Sequence, residues 1–175
     1  VALYADLLSD PIVLRVLWRT VWIAAATTLF CVLLGYPLAL FLARSKHRNL
    51  WLILVISPWL VSIVVRTFGW MVLLGNRGVV NTTLRDLGLI DVPIRMLFTP
   101  TAVLIGLTHV FLPFVVIAIL SSLLQQDRRL EEASRILGGT RWQTFRRVTL
   151  PLSMPGVIGG ASLVLLMAMG AIVTP

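Results

Sequence analysis

Charge is scarce in this sequence. Only 13% of its 175 residues are Asp, Glu, Lys or Arg, whereas 58% are hydrophobic. A soluble domain carries roughly 25% charged and roughly 45–50% apolar residues, so the chain departs from that class in both directions. Cysteine occurs once, at Cys31, which excludes an intrachain disulfide. The histidines are His47 and His109, each without a nearby carboxylate or cysteine, and two isolated imidazoles do not make a metal site. The only lysine, Lys46, belongs to no G-x-x-x-x-G-K phosphate loop. Neither G-x-S-x-G nor H-E-x-x-H occurs. On these grounds the chain is expected to bind no nucleotide, cofactor or metal, and to catalyse no covalent chemistry by itself.

Long apolar runs take the place of charge. Thr20 to Ala43, Thr101 to Leu124 and Val148 to Pro175 carry no charged residue, and Leu50 to Gly75 is interrupted only by Arg66. A helix needs about 20 apolar residues to cross a bilayer. The runs lack the strict alternation of a membrane barrel. The expected fold is therefore all-α, a polytopic bundle with four spans, forming one transmembrane domain over residues 1–175. A start at Val1 and a stop at Pro175, at the end of a run, lead us to expect a piece of a longer chain with further helices on both sides.

The net charge of +8 would suggest nucleic acid in a soluble protein, but its distribution has another origin. Membrane proteins hold excess Lys and Arg in cytoplasmic loops. Arg44, Lys46 and Arg48 follow the first run, and Arg128, Arg129, Arg135, Arg141, Arg146 and Arg147 lie between the third and fourth. The other side holds Arg15, Arg19, Arg77, Arg85 and Arg95, diluted by Asp6, Asp10, Asp86 and Asp91. Residues 44–49 and 125–152 are thus expected in the cytoplasm, with lipid around the spans.

A few polar or aromatic residues inside the spans are candidates for a pathway. Arg66 lies about 22 Å from the cytoplasmic lip at 1.5 Å per residue, nearer the outer surface than the midplane. Intramembrane Arg is costly and often functional, although its long stem also lets it snorkel to the interface. No acidic residue lies in any span to pair with it. Trp59 and Trp70 offer aromatic faces, and His109 reads as an interhelix hydrogen-bonding residue. Pro37, Pro58 and Pro113 should bend their helices. In the outer loop Asn81 reads as the N-cap of a short helix stopped at Gly88.

The polar segment between the third and fourth runs is longer than a connection requires. Asp127 to Leu137 reads as one helix, with Leu130, Ala133 or Ser134, and Leu137 on a common stripe. Gly138-Gly139 ends it. Thr140-Arg141-Trp142-Gln143 has the form of a capping box and starts a second helix, Arg141 to Thr149. Pro151 is expected to stop this helix and Pro155 to open the last span. A helix pair of this kind can anchor in the membrane surface or dock a soluble partner. Tethering by spans at both ends argues against insertion into a DNA groove.

The stretch EEASRILGGTRWQTFRRVTLPLSMPG resembles the cytoplasmic EAA loop of binding-protein-dependent ABC importer permeases. Glu132, Ala133 and Ser134 stand for the Glu-Ala-Ala triplet, with Ser134 a small-for-small departure. Gly138 follows, then Val148, Leu150 and Pro151 at the family spacing. GYPLALFLAR, SPWLVSIVVRTFGW and FLPFVVIAILSSL are similar to spans of the spermidine/putrescine-type branch, in which His109 often has an aromatic counterpart. The resemblance implies a permease subunit of the inner membrane that works by alternating access. It also implies ATPase subunits docked on the loop, a second permease subunit and a periplasmic substrate-binding protein. Glu132, Ala133 and Gly138 would admit the helix into an ATPase groove, and Arg141, Arg146 and Arg147 would charge its rim. A secondary carrier with an anchoring loop is the alternative. A polyamine is the implied substrate, against which stands an anion such as a phosphonate held by Arg66.

Overall fold

The computed structural model describes residues 11–173, except the side chains of Arg128, Ile172 and Val173. Asp6, Asp10 and Pro175 lie outside the described residues. All regular structure among the described residues is helical. The elements are α1 (Pro11–Arg44), α2 (Arg48–Leu60), α3 (Ile63–Leu74), α4 (Val79–Asp86), α5 (Pro100–Leu124), α6 (Arg128–Ile136), α7 (Arg141–Thr144) and α8 (Leu150–Val173), with a π-helical turn, Phe145–Thr149, joining α7 to α8. Among the described residues, four segments are long and apolar enough to cross a membrane: Pro11–Arg44, Ile63–Asp86, Pro100–Leu124 and Arg141–Ala171.

Helices α1, α5 and α8 form the core. In lipid the hydrophobic effect does not draw helices together, so close van der Waals packing between small side chains must do so. The buried face of α1 carries Ala24, Thr27, Cys31, Gly35 and Ala39, a small-residue stripe at helical spacing. It meets Val115, Val116 and Ile119 of α5. On α8, Gly156 and Gly160 form a G-x-x-x-G pair against α5: a Cβ at Gly160 would lie 3.1 Å from the Cβ of Ala118. The sequence reading passed over this pair. Polar ties cross the same interfaces. Cys31 Sγ donates to the Thr108 carbonyl at 3.6 Å, and the Tyr36 and Ser153 hydroxyls are hydrogen-bonded at 2.8 Å.

The second span departs from expectation. The apolar run Leu50 to Gly75 is broken at Val61-Ser62 into helices of 13 and 12 residues, each too short to cross about 30 Å alone. The break follows Pro58, which cannot donate its backbone N–H, and Val61 is extended at φ −74°, ψ 133°. By contrast α1 runs through Pro37 and α5 through Pro113 as single helices.

The loop helix α4 forms, but Asn81 is not its N-cap; Gly78 is. Asn81 is buried inside the helix. Its Nδ2 donates to the carbonyls of Gly75 and Ile94, both at 3.0 Å, and its Oδ1 accepts from Ile94 N–H at 3.0 Å. One side chain thus pins both arms of the loop. Gly88 follows the helix at φ +69°, as a stop glycine should.

Candidate functional site

The polar segment beyond α5 folds as the sequence pattern dictates. Asp127 caps α6, its carboxylate accepting from Arg129 N–H at 2.9 Å. The helix ends in a complete Schellman motif: Gly139 N–H donates to the Ser134 carbonyl at 2.9 Å and Gly138 N–H to the Arg135 carbonyl at 3.0 Å. Gly138 sits at φ +83°, a conformation open to glycine and costly to branched residues. Thr140 then forms a full capping box: its Oγ1 accepts from Gln143 N–H at 3.3 Å, and Gln143 Oε1 accepts from Thr140 N–H at 2.9 Å.

The second helix does not end at Pro151. It continues through the π turn into α8, so α7, the turn and the last span are one continuous rod. Leu150 N–H reaches back five residues to the Phe145 carbonyl. The reason lies in Pro151. It has no N–H, and its ring would strike the carbonyl four residues before it in an α-helix; a wider turn relieves that clash.

The orientation of this helix pair is the informative feature. The stripe containing Leu130 and Leu137 faces outward. Ile136 is 85% exposed, Leu137 87% and Trp142 67%. The face turned toward the spans is polar instead. Ser134 and Thr144 are hydrogen-bonded at 3.0 Å and lock α6 to α7. Glu131 Oε1 accepts from Thr149 Oγ1 at 2.8 Å and lies 3.7 Å from Arg44 Nη2. Arg44 is 63% exposed, so that ion pair contributes at most about 1 kcal/mol, and the Thr149 bond is the firmer tie. Phe145 packs edge-on to Tyr36 of α1 at 5.9 Å and stacks on Trp142 at 5.5 Å.

Of the residues singled out in the sequence, Glu132, Ala133, Gly138 and Arg141 are exposed, and Pro151 is exposed at the start of α8. Ser134, Val148 and Leu150 are partly buried beneath them. A shallow hollow is lined by Ala133, Ser134, Leu137, Gly138, Gly139 and Val148. Glu131 and Thr149 were missed. Their signal was available: Glu131 lies three residues before Ser134 and so shares its inward face.

The candidate pathway residues form a second group, along α5. Trp59 of α2 meets Phe114 edge-on at 6.1 Å, and Trp70 of α3 meets His109 edge-on at 5.6 Å. The interhelix contact of His109 is therefore this ring packing rather than the expected hydrogen bond; its Nδ1 is buried without a partner among the described residues. Arg66 corrects the snorkelling expectation. Its Nη2 turns back to donate to the carbonyls of Pro58 at 2.6 Å and Val61 at 2.9 Å. It caps the C-terminal end of α2, where the helix dipole favours a cation. Backbone carbonyls, freed by the break, thus supply the partner that no acidic residue in the spans provides. Arg66→Leu should cost about 2 kcal/mol, the worth of a charged hydrogen bond, with Arg66→Lys intermediate. Thermal unfolding in detergent measures this, and an unshifted midpoint for Arg66→Leu would remove the capping role.

Residues 16–175 match the family described as "Binding-protein-dependent transport system inner membrane component". The chain belongs to this family. The spermidine/putrescine transport system permease protein PotB of Escherichia coli K12 is 46% identical over 165 residues, which is 93% of this chain and 60% of PotB. PotB of Haemophilus influenzae is 42% identical, over 93% of this chain and 58% of that protein. The chain thus spans about three fifths of these relatives. Among solved structures, a bacterial ABC transporter that imports the acidic polysaccharide alginate superposes with a TM-score of 0.74 at 22% identity, over 97% of this chain and 60% of its counterpart. That likeness supports the fold.

Proposed function

We propose that this chain is part of a permease subunit of an ABC importer, lining a path for polyamines across the inner membrane by alternating access. It hydrolyses no ATP itself. ATPase subunits dock from the cytoplasm on the α6–α7 pair, a second permease subunit completes the path, and a periplasmic binding protein delivers the substrate. The observation that carries the reading is the orientation of the helix pair. A capped, internally hydrogen-bonded pair holds its polar face to the spans and offers Ile136, Leu137 and Trp142 outward. Such a surface suits a partner groove. Exposed Glu132, Ala133 and Gly138 allow close approach beside it, with Arg141 on the rim.

The substrate class rests on the 46% identity to relatives named as spermidine/putrescine permeases. Arg66 is compatible with cationic cargo, because its guanidinium is engaged by carbonyls rather than held out as an anion site. The full-length permease, produced with its partner chains, should retain an ATPase subunit through detergent purification. In cells lacking other polyamine uptake it should import labelled spermidine or putrescine, unaffected by excess phosphonate. Purification without any ATPase would favour a secondary carrier with an anchoring loop, and competition by phosphonate would reverse the substrate assignment.

A further inference from the structure

The Glu131 carboxylate ties the docking helix α6 to the transmembrane bundle. Glu131 of α6 accepts from Thr149 Oγ1 at 2.8 Å and faces Arg44, the last residue of α1, at 3.7 Å. The Thr149 carbonyl in turn accepts from Nε2 of Gln126, just beyond α5, at 3.3 Å. The start of α6, the ends of α1 and α5, and the π turn at the foot of α8 therefore meet at Glu131 and Thr149. A second tie, the Ser134–Thr144 hydrogen bond at 3.0 Å, holds α6 to α7, while the large apolar side chains Leu130 and Ile136 are exposed and add no packing to it.

Thr149, like Thr144 with Ser134, directs its hydroxyl to α6 and differs from five other helical threonines. Thr20, Thr28, Thr67, Thr82 and Thr83 each donate their hydroxyl to the carbonyl four residues earlier, the usual habit of a helical threonine. Thr149 is only 2% exposed, yet it turns its hydroxyl outward from its own helix to Glu131. It does so in the π turn, a geometry frequent at functional sites. A buried hydroxyl has few alternatives to a lost partner, so the bond resists separation of α6 from the turn.

We propose that Glu131 is a positioning residue that transmits displacement of the docking helix α6 into the last span, by way of Thr149 and the π turn. The transmission claim rests on the importer reading above; the bond itself does not. The link works through the hydrogen bond, with the exposed Arg44 a minor contributor. Three variants separate these contributions. Glu131→Gln keeps an acceptor for Thr149 and loses the charge. Glu131→Ala and Thr149→Val each remove the bond.

In the assembled transporter, Thr149→Val and Glu131→Ala should lower substrate moved per ATP hydrolysed at least tenfold while the ATPase still co-purifies. Glu131→Gln should retain at least half the parental ratio, and the double variant should be no worse than either single one. Parental stoichiometry in Thr149→Val would overturn the proposal. So would an equal fall of transport and ATP hydrolysis with loss of assembly, which marks a purely structural bond. A second measurement stands apart from the importer reading. Spin labels at Lys46 and Arg135 of the full permease, with buried Cys31 changed to Ser, should give a narrow distance distribution in the parent and a broad one with Thr149→Val. An unchanged distribution would overturn the link even if no ATPase were ever found, whereas absence of ATPase from the parental complex counts against the importer reading alone.

Discussion

Gly138→Leu should abolish transport and ATPase coupling while leaving the chain inserted and folded. The argument separates two costs. Within the chain, a Cβ at Gly138 meets nothing within 4 Å, so no neighbour has to move. The remaining internal cost is the backbone strain of a side chain at φ +83°, about 1–2 kcal/mol. That is tolerable for a bundle held by three long helices. The outer cost is different in kind. Gly138 is exposed at the tip of the pair, beside Leu137 and the hollow lined by Ala133 and Val148. A leucine there projects into the space a docked partner needs. Gly138→Asn is the matching control, because Asn tolerates the left-handed region and is smaller, so it should keep a measurable fraction of activity. Transport into reconstituted vesicles, together with retention of the ATPase on the purified permease, reads both effects. Parental transport by Gly138→Leu would sink the docking assignment.

The parts of the structure that were legible in the sequence are those set by local chemistry. The Schellman end at Gly138-Gly139 and the capping box Thr140–Gln143 depend on a glycine or a hydroxyl at a fixed offset, and both form as expected. Three of the four apolar runs correspond closely to single crossing segments for a similar reason: length and the absence of charge suffice. Misreadings arose where a distant partner decides the outcome. Asn81 has the composition of a cap, but the carbonyls of Gly75 and Ile94, six and thirteen residues away, capture its amide. Arg66 had no acidic partner to find, and its true partners are carbonyls that exist only because the helix breaks after Pro58. Pro151 read as a stop because the i to i−4 ladder was assumed; a π turn admits the proline and carries the rod onward. Amphipathicity identified the Leu130 to Leu137 stripe without saying which way it faces. In a soluble helix it would face inward. Here the inward face belongs to Glu131 and Ser134, and that inversion is what points to a partner outside the chain.

The largest effect on stability should come from Gly156→Leu. A Cβ there would lie 2.6 Å from the Cβ of Ser122, 2.7 Å from the Ala118 carbonyl oxygen and 3.1 Å from the Ile119 Cα. Two of these three are backbone atoms of a long helix and cannot swing aside as a side-chain tip can. The α5 and α8 backbones must therefore part by more than 1 Å at the crossing to restore ordinary contact distances. Parting there opens the approach at Gly160, one turn along, where a Cβ would already be 3.3 Å from the Val115 Cα. It also strains the Tyr36–Ser153 hydrogen bond on the same helix. Without a hydrophobic force to close the gap in lipid, the lost van der Waals contact is not replaced by another driving term. We expect about 3 kcal/mol of destabilisation, the upper range for overpacking a tight site, and degradation of the chain in cells. Gly159 provides the control. It is on the same helix, a Cβ there meets nothing within 4 Å, and Gly159→Leu adds the same apolar surface. Thermal unfolding in detergent and protease resistance in membranes should distinguish the two: Gly159→Leu close to parental, Gly156→Leu collapsed. Equal behaviour of the pair would mean that the G-x-x-x-G crossing does not set the α5–α8 distance, and the packing account of the core would have to be rebuilt around the α1 interface.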